Sequence, residues 1–109
     1  MRYDFDWDTG KAKSNLRKHK ISFERATTIF RDPNLISIPD DEHSETEERW
    51  LTMGLDKNGI VLVTSHTFVI ISDSVSKIRI ISARGATKTE LKQYEEGIRF
   101  FKRREGQIL

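Results

Sequence analysis

Tyr3, Phe5 and Trp7 alternate with Arg2, Asp4, Asp6 and Asp8, the two-residue period of a strand with one buried face, and predict an opening strand over residues 2–7. Asp8 stands where it can cap a helix over Thr9–His19, although Gly10 falls in its first turn. Ala12, Leu16 and His19 give that helix a narrow apolar stripe. Lys11, Asn15 and Lys18 recur at i, i+4 and i+7, so their side chains leave one polar, mostly cationic face. Ser22 can cap a second helix in which Phe23, Ala26 and Phe30 share a side until Asp32-Pro33 ends it. A helical hairpin is the expected result.

The second half reads as strands. Leu35, Ile36 and Ile38 predict a short one, and the acidic residues after Pro39 break it into an exposed loop. From Arg49 onward, Leu51, Met53 and Leu55 alternate with Trp50, Thr52 and Gly54, and the Asn58-Gly59 pair then predicts a tight hairpin turn. Ile60 to Val63 is apolar at successive positions, as in a central strand, and the pattern runs loosely to Ile71 before Ser72-Asp73-Ser74 turns the chain. Ile78, Ile80 and Ile81 mark a strand from Ile78 to Ala83. Strict alternation along it sends Arg79 and Arg84 to opposite faces, which predicts one arginine in a functional site and one in a structural ion pair. Thr87 and Glu90 have capping-box spacing at the start of a helix from Lys88 to about Arg104, with Leu91, Tyr94, Ile98 and Phe101 on one side. Short connections make the sheet antiparallel in this half, and the whole an α+β fold.

Composition narrows the possibilities. A chain of 109 residues, 36% hydrophobic and 33% charged, supports one core and is read as a single domain over residues 1–109. It has no cysteine, so thiolate metal sites and disulfides are excluded, and a cytoplasmic location is expected. No run has the length of a signal peptide core or a membrane span. The net charge of +2 hides segregation: Lys11, Lys13, Arg17, Lys18, Lys20, Arg25 and Arg31 precede an acidic stretch at Asp40, Asp41, Glu42, Glu45, Glu47 and Glu48, and the balance turns basic again from Lys77 to Arg104. Basic regions that converge make a surface for an anionic ligand, nucleic acid above all; otherwise they are solvated helix faces.

Phe5-Asp6-Trp7-Asp8, Lys11, Asn15, Lys18-His19, Phe23-Glu24-Arg25-Ala26, Phe30-Arg31-Asp32-Pro33, Glu48-Arg49, Gly54, Arg79-Ile80-Ile81-Ser82-Ala83-Arg84, Glu90 and Tyr94 together form a distinctive set. On these residues the chain resembles the BrnT family of toxins from Phe5 to about Tyr94. The resemblance implies a RelE-like fold and a ribonuclease that blocks translation. It also implies a type II toxin-antitoxin module with a BrnA-like antitoxin as partner and operator DNA reached only through the antitoxin complex. Neither a cofactor nor a membrane enters that expectation. Two departures from the family pattern stand out: Lys20 replaces the glycine that usually follows the Lys-His pair, and Phe68-Val69-Ile70 replaces an acidic-x-basic segment after Thr67. The second departure motivates an alternative, a weak or inactive module that holds the antitoxin and contributes to autoregulation.

Metal-free RNA cleavage needs a base for the ribose 2′-hydroxyl, cations for the charge that builds on phosphorus, and an acid for the leaving 5′-oxygen. Arg79 and Arg84 are the candidate cations, and His19 is the candidate base or acid, its structural alternative being a helix C-cap. Glu48 is either a base or the partner of a basic residue. Lys11 and Lys18 suit phosphate contact, and Trp50 can stack a nucleobase if it lies on an exposed sheet face. Asp40-Asp41-Glu42-His43 reads as an acidic loop, because consecutive side chains do not all point at one ion without a special loop. Tyr94 and Phe101 read as core residues.

Overall fold

A computed structural model describes residues 2–40 and 48–97. The elements are β1 (Arg2–Trp7), α1 (Thr9–His19), α2 (Phe23–Thr27) continued by a 3-10 turn (Thr28–Arg31), β2 (Ile36–Pro39), β3 (Arg49–Leu55), β4 (Val61–Ile70), β5 (Val75–Gly85) and α3 (88–97). The strands form one sheet in the order β1-β5-β4-β3-β2. Strands β2 to β5 are antiparallel, as their short connections require, whereas β1 joins β5 in parallel, so α1 and α2 lie within the connection that separates it from the rest.

Local chemistry sets the element ends. The Asp8 carboxylate accepts from the Lys11 N–H at 2.9 Å, and the Ser22 hydroxyl accepts from the Arg25 N–H at 3.1 Å, each satisfying an amide that its helix leaves free. Helix α1 stops at Lys20, which adopts the left-handed conformation at φ 60° and ψ 28° and donates its N–H to the Leu16 carbonyl. A Cβ is unfavourable in that conformation, which glycine adopts without such a penalty. Gly59 turns the β3–β4 hairpin at φ 80°. Gly54 is needed for a different reason: a Cβ there would stand 3.0 Å from the Ile29 carbonyl oxygen.

Two apolar clusters sandwich the sheet. On the side of α1 and α2, Phe23, Ala26 and Ile29 pack with Leu62, Ile78, Ile80 and Ala83, supported by Tyr3, Phe5 and Trp7 from β1. On the other side, Met53, Val61 and Val63 pack with Tyr94 of α3. Burial on both faces accounts for the unbroken apolar run in β4. The expected stripe of α1 is corrected: Leu16 is 49% exposed, and it is Asn15, from the polar face, that is buried. Thr87 and Glu90 make the capping box, with N–H donations at 2.9 Å and 3.2 Å. Ile98, Phe101 and the expected continuation of the helix beyond 97 lie outside the described residues, as does the expected acidic loop over 41–47.

Candidate functional site

The site is organised by one extra residue in β5. Ser65 pairs with Ser82 but His66 pairs with Ile80, which leaves Ile81 with no residue opposite. A bulge of this kind reverses the phase of alternation. Ile78, Ile80 and Ala83 therefore all face the helix-side core, and Arg79 and Arg84 both face the other side. Strict alternation fails here, and the two arginines share a face instead of dividing between two.

They nevertheless occupy different surroundings. Arg84 lies opposite Val63, and its Nη1 and Nη2 donate to the two Glu90 carboxylate oxygens at 2.6 and 2.9 Å. This bidentate pair ties β5 to the first turn of α3. Hydrogen bonding from Arg84 outweighs burial and, with the Thr87 amide, holds the Glu90 carboxyl down at about 2. Arg79 lies beyond the described part of α3, in a lateral row formed by register alone: Arg49 of β3 is opposite Thr67 of β4, Thr67 is opposite Arg79, and Arg79 is opposite Asp6 of β1. Two strand spacings put the Arg49 and Arg79 backbones on the order of 10 Å apart. Arg79 Nη1 is 3.4 Å from Asp6 Oδ1, and Lys77 Nζ is 3.2 Å from Asp6 Oδ2. The Arg79 side chain is 46% exposed.

Beside this row lies the seam between α1 and β5. Strand β1 ends at Trp7, opposite Ile80, and past that point Asn15 serves the edge of β5 in place of a strand. Its amide donates to the Ala83 carbonyl at 2.8 Å and to the Ile21 carbonyl at 3.0 Å, while its carbonyl accepts from the Ala83 N–H at 3.0 Å. With α1 fixed in this way, Lys11, Lys18 and His19 meet Ile81 and Ser82 around an open depression of about 240 Å³. Ser82 follows Arg79 by three residues and faces the same side.

The structure thus brings Lys11, Lys18 and His19 together on the edge of the strand that carries Arg79. Glu48 is exposed, one residue ahead of β3 and next to Arg49. Trp50 is separated from all of these. It is half-buried on the helix side, where with Tyr3, Phe30, Leu35, His66 and Phe68 it lines an apolar cleft of about 200 Å³. In that cleft His66 is 3% exposed. Its Nδ1 faces the Thr67 carbonyl at 3.0 Å and must donate, so Nε2 accepts from the Thr52 hydroxyl at 2.6 Å. Burial lowers its pKa against the opposing effect of the Thr67 contact.

Sequence reasoning did not single out Asp6, Arg49 or Ser82 as site residues. The outward direction of Asp6 was readable from the alternation of Tyr3, Phe5 and Trp7. Its position against Arg79 was not, because the pairing of β1 with β5 spans most of the chain. Among the described residues no group of three or more His, Asp or Glu side chains could hold a metal ion, and no helix is long and apolar enough to cross a membrane.

The site is thus that of a small α+β protein whose sheet presents Arg79 and Lys77, both partly exposed, on one face, with Lys11 and Lys18 at the neighbouring seam. The chain belongs to the BrnT family, described as the ribonuclease toxin of type II toxin-antitoxin systems, whose family model matches residues 7–90. Membership makes an antitoxin its partner by class. The crystal structure of the Brucella abortus ribonuclease toxin, BrnT, is similar in fold, with a TM-score of 0.55 at 17% identity over 81% of this chain and 100% of that one. No curated protein gives a significant match.

Proposed function

We propose that this toxin is a metal-independent endoribonuclease that binds RNA on the face of the sheet that carries Arg79, inhibits translation and is neutralised by a BrnA-like antitoxin. The observation that carries the reading is the cluster of Arg79, Lys77 and Asp6 on one face of the sheet, each partly exposed. Arg79 suits the reacting phosphate. Its contact with Asp6 at 3.4 Å is longer than the roughly 2.7–2.9 Å of a tight charge-assisted bond, so a phosphate oxygen can displace it. Arg84 acts at a distance from the chemistry by fixing α3, since its donors are engaged by Glu90. Lys11 and Lys18 hold flanking phosphates without reading bases. His19 and Glu48 stand at the two margins as groups able to move a proton. Operator DNA is reached through the antitoxin complex.

The test is RNA cleavage by antitoxin-free protein in the presence of chelator. Cleavage is expected, and Arg79→Ala should slow it by on the order of 10²–10³-fold without shifting the melting midpoint. RNA left intact by the wild-type chain would sink the proposal. A second reading, a module that holds antitoxin with little nuclease activity, draws on the β4–β5 hairpin, where Val69, Ile70 and Ile71 are 52%, 69% and 60% exposed. A contiguous apolar tip of this kind suits a protein contact. Under that reading antitoxin binds tightly while RNA stays uncut.

A further inference from the structure

The group in direct contact with Arg79 is a carboxylate that has no part in the chemistry described so far. Asp6 is placed by the parallel register of β1 on β5, which sets it opposite Arg79 and sets Asp4 opposite Lys77. Its two oxygens have separate partners, Oδ1 with Arg79 and Oδ2 with Lys77. The side chain is 37% exposed and so is open to a ligand. This division matters when a phosphate arrives. A phosphate oxygen that takes the Arg79 guanidinium displaces Oδ1, but Lys77 retains Oδ2 and keeps the carboxylate from swinging away. The released Oδ1 then stays beside the bound phosphate, where the neighbouring ribose must lie.

We propose that Asp6 is the catalytic base of the cleavage reaction, an inference that rests on the nuclease reading above. Asp6 Oδ1 takes the proton of the ribose 2′-hydroxyl as the bond from O2′ to phosphorus forms. The bond from phosphorus to O5′ breaks, its electron pair leaves on O5′, and O5′ takes a proton from the acid at the margin or from water. The products are a 2′,3′-cyclic phosphate and a free 5′-hydroxyl, and the balance needs no metal or other co-reactant. Arg79 holds the phosphate throughout, with Arg49 on the far side of Thr67 facing the same surface.

The experiment compares the full chain with Asp6→Asn and Asp6→Glu, using single-turnover cleavage of a saturating RNA oligonucleotide in chelator. Binding of the 2′-deoxy version of the same oligonucleotide is measured in parallel. Asp6→Asn should cleave about 100-fold more slowly, as expected for loss of a general base. It should bind the 2′-deoxy probe at least as tightly, because removing an anion beside Arg79 and Lys77 strengthens phosphate contact. Asp6→Glu keeps a carboxylate on a longer arm and should restore about a tenth of the rate. Cleavage by active wild type and Asp6→Asn at similar rates overturns the role of Asp6 and leaves the nuclease reading standing. Parallel loss of cleavage and probe binding in Asp6→Asn overturns it as well. A wild-type chain that binds the probe and never cleaves RNA overturns both.

Discussion

The two faces of the sheet are made by the same strands and are put to opposite uses. On the helix side, Phe23, Ile29, Leu62, Ile78 and Ile80 are fully buried, and Ser37, Thr52 and His66 bond one another inward, while the buried Thr64 hydroxyl has no partner among the described residues. On the other side the described part of α3 covers Met53, Val61 and Val63, while Asp6, Lys77 and Arg79 remain partly exposed. Burial stabilises the first face by about 1.5–3 kcal/mol for each large side chain removed from water, and a charge there would forfeit that gain. The second face carries charge where Asp6, Lys77 and Arg79 reach solvent. What separates the two uses within β5 is the single bulged residue at Ile81, which keeps Ala83 on the core side and Arg84 out of it.

The strongest way to break this division is to place a charge on the closed face at Ala83, which is fully buried. Ala83→Arg puts an unpaired cation in the helix-side core, and such a charge costs about 3–5 kcal/mol. Loss of a cooperative thermal transition is the expected result, read by circular dichroism. A smaller but still large effect is expected at the seam. Asn15→Ala leaves the buried Ala83 N–H without its acceptor and should cost about 2 kcal/mol in denaturant unfolding. Cleavage should fall with it if α1 carries part of the RNA surface.

The link between β5 and α3 can be tested by pH. Glu90 has its pKa lowered from an ordinary 4.5 to about 2, so the folded state binds the proton less readily than the unfolded chain. The stabilisation is fully present above about 4.5 and is lost as pH falls toward about 2. Because the pair is partly solvated, its size is about 1 kcal/mol, and Glu90→Gln should flatten that acid limb. The smallest effect is expected at Lys20, held at φ 60°. Lys20→Gly should raise stability by roughly 0.5–1 kcal/mol by relieving the left-handed conformation, and a lower melting midpoint would contradict the strain assigned there.

Much of the fold was legible because its signals are local. Asp8 and Ser22 cap the helices predicted from them, Asn58-Gly59 turns the hairpin, and Thr87 with Glu90 starts α3. Other features were not legible. Leu16 looked like core and is half exposed, since which side of α1 meets β5 depends on where β1 stops. Trp50 looked like a base-stacking platform and lies across the sheet from Arg79, because alternation gives a side chain one of two faces and cannot say which face is open.

By itself, the sequence determined the strand and helix segments, their caps and turns, the segregation of charge and the family to which the chain belongs. These depend on residues within one or two turns of each other, or on motifs carried intact. Only the tertiary structure decided that β1 lies parallel to β5 and sets Asp6 against Arg79, and that Asn15 completes the strand edge. It also decided that one unpaired residue puts both arginines on one face. Each of these is a matter of register between distant segments, and register is settled by which long-range pairing buries the most apolar surface with its hydrogen bonds satisfied.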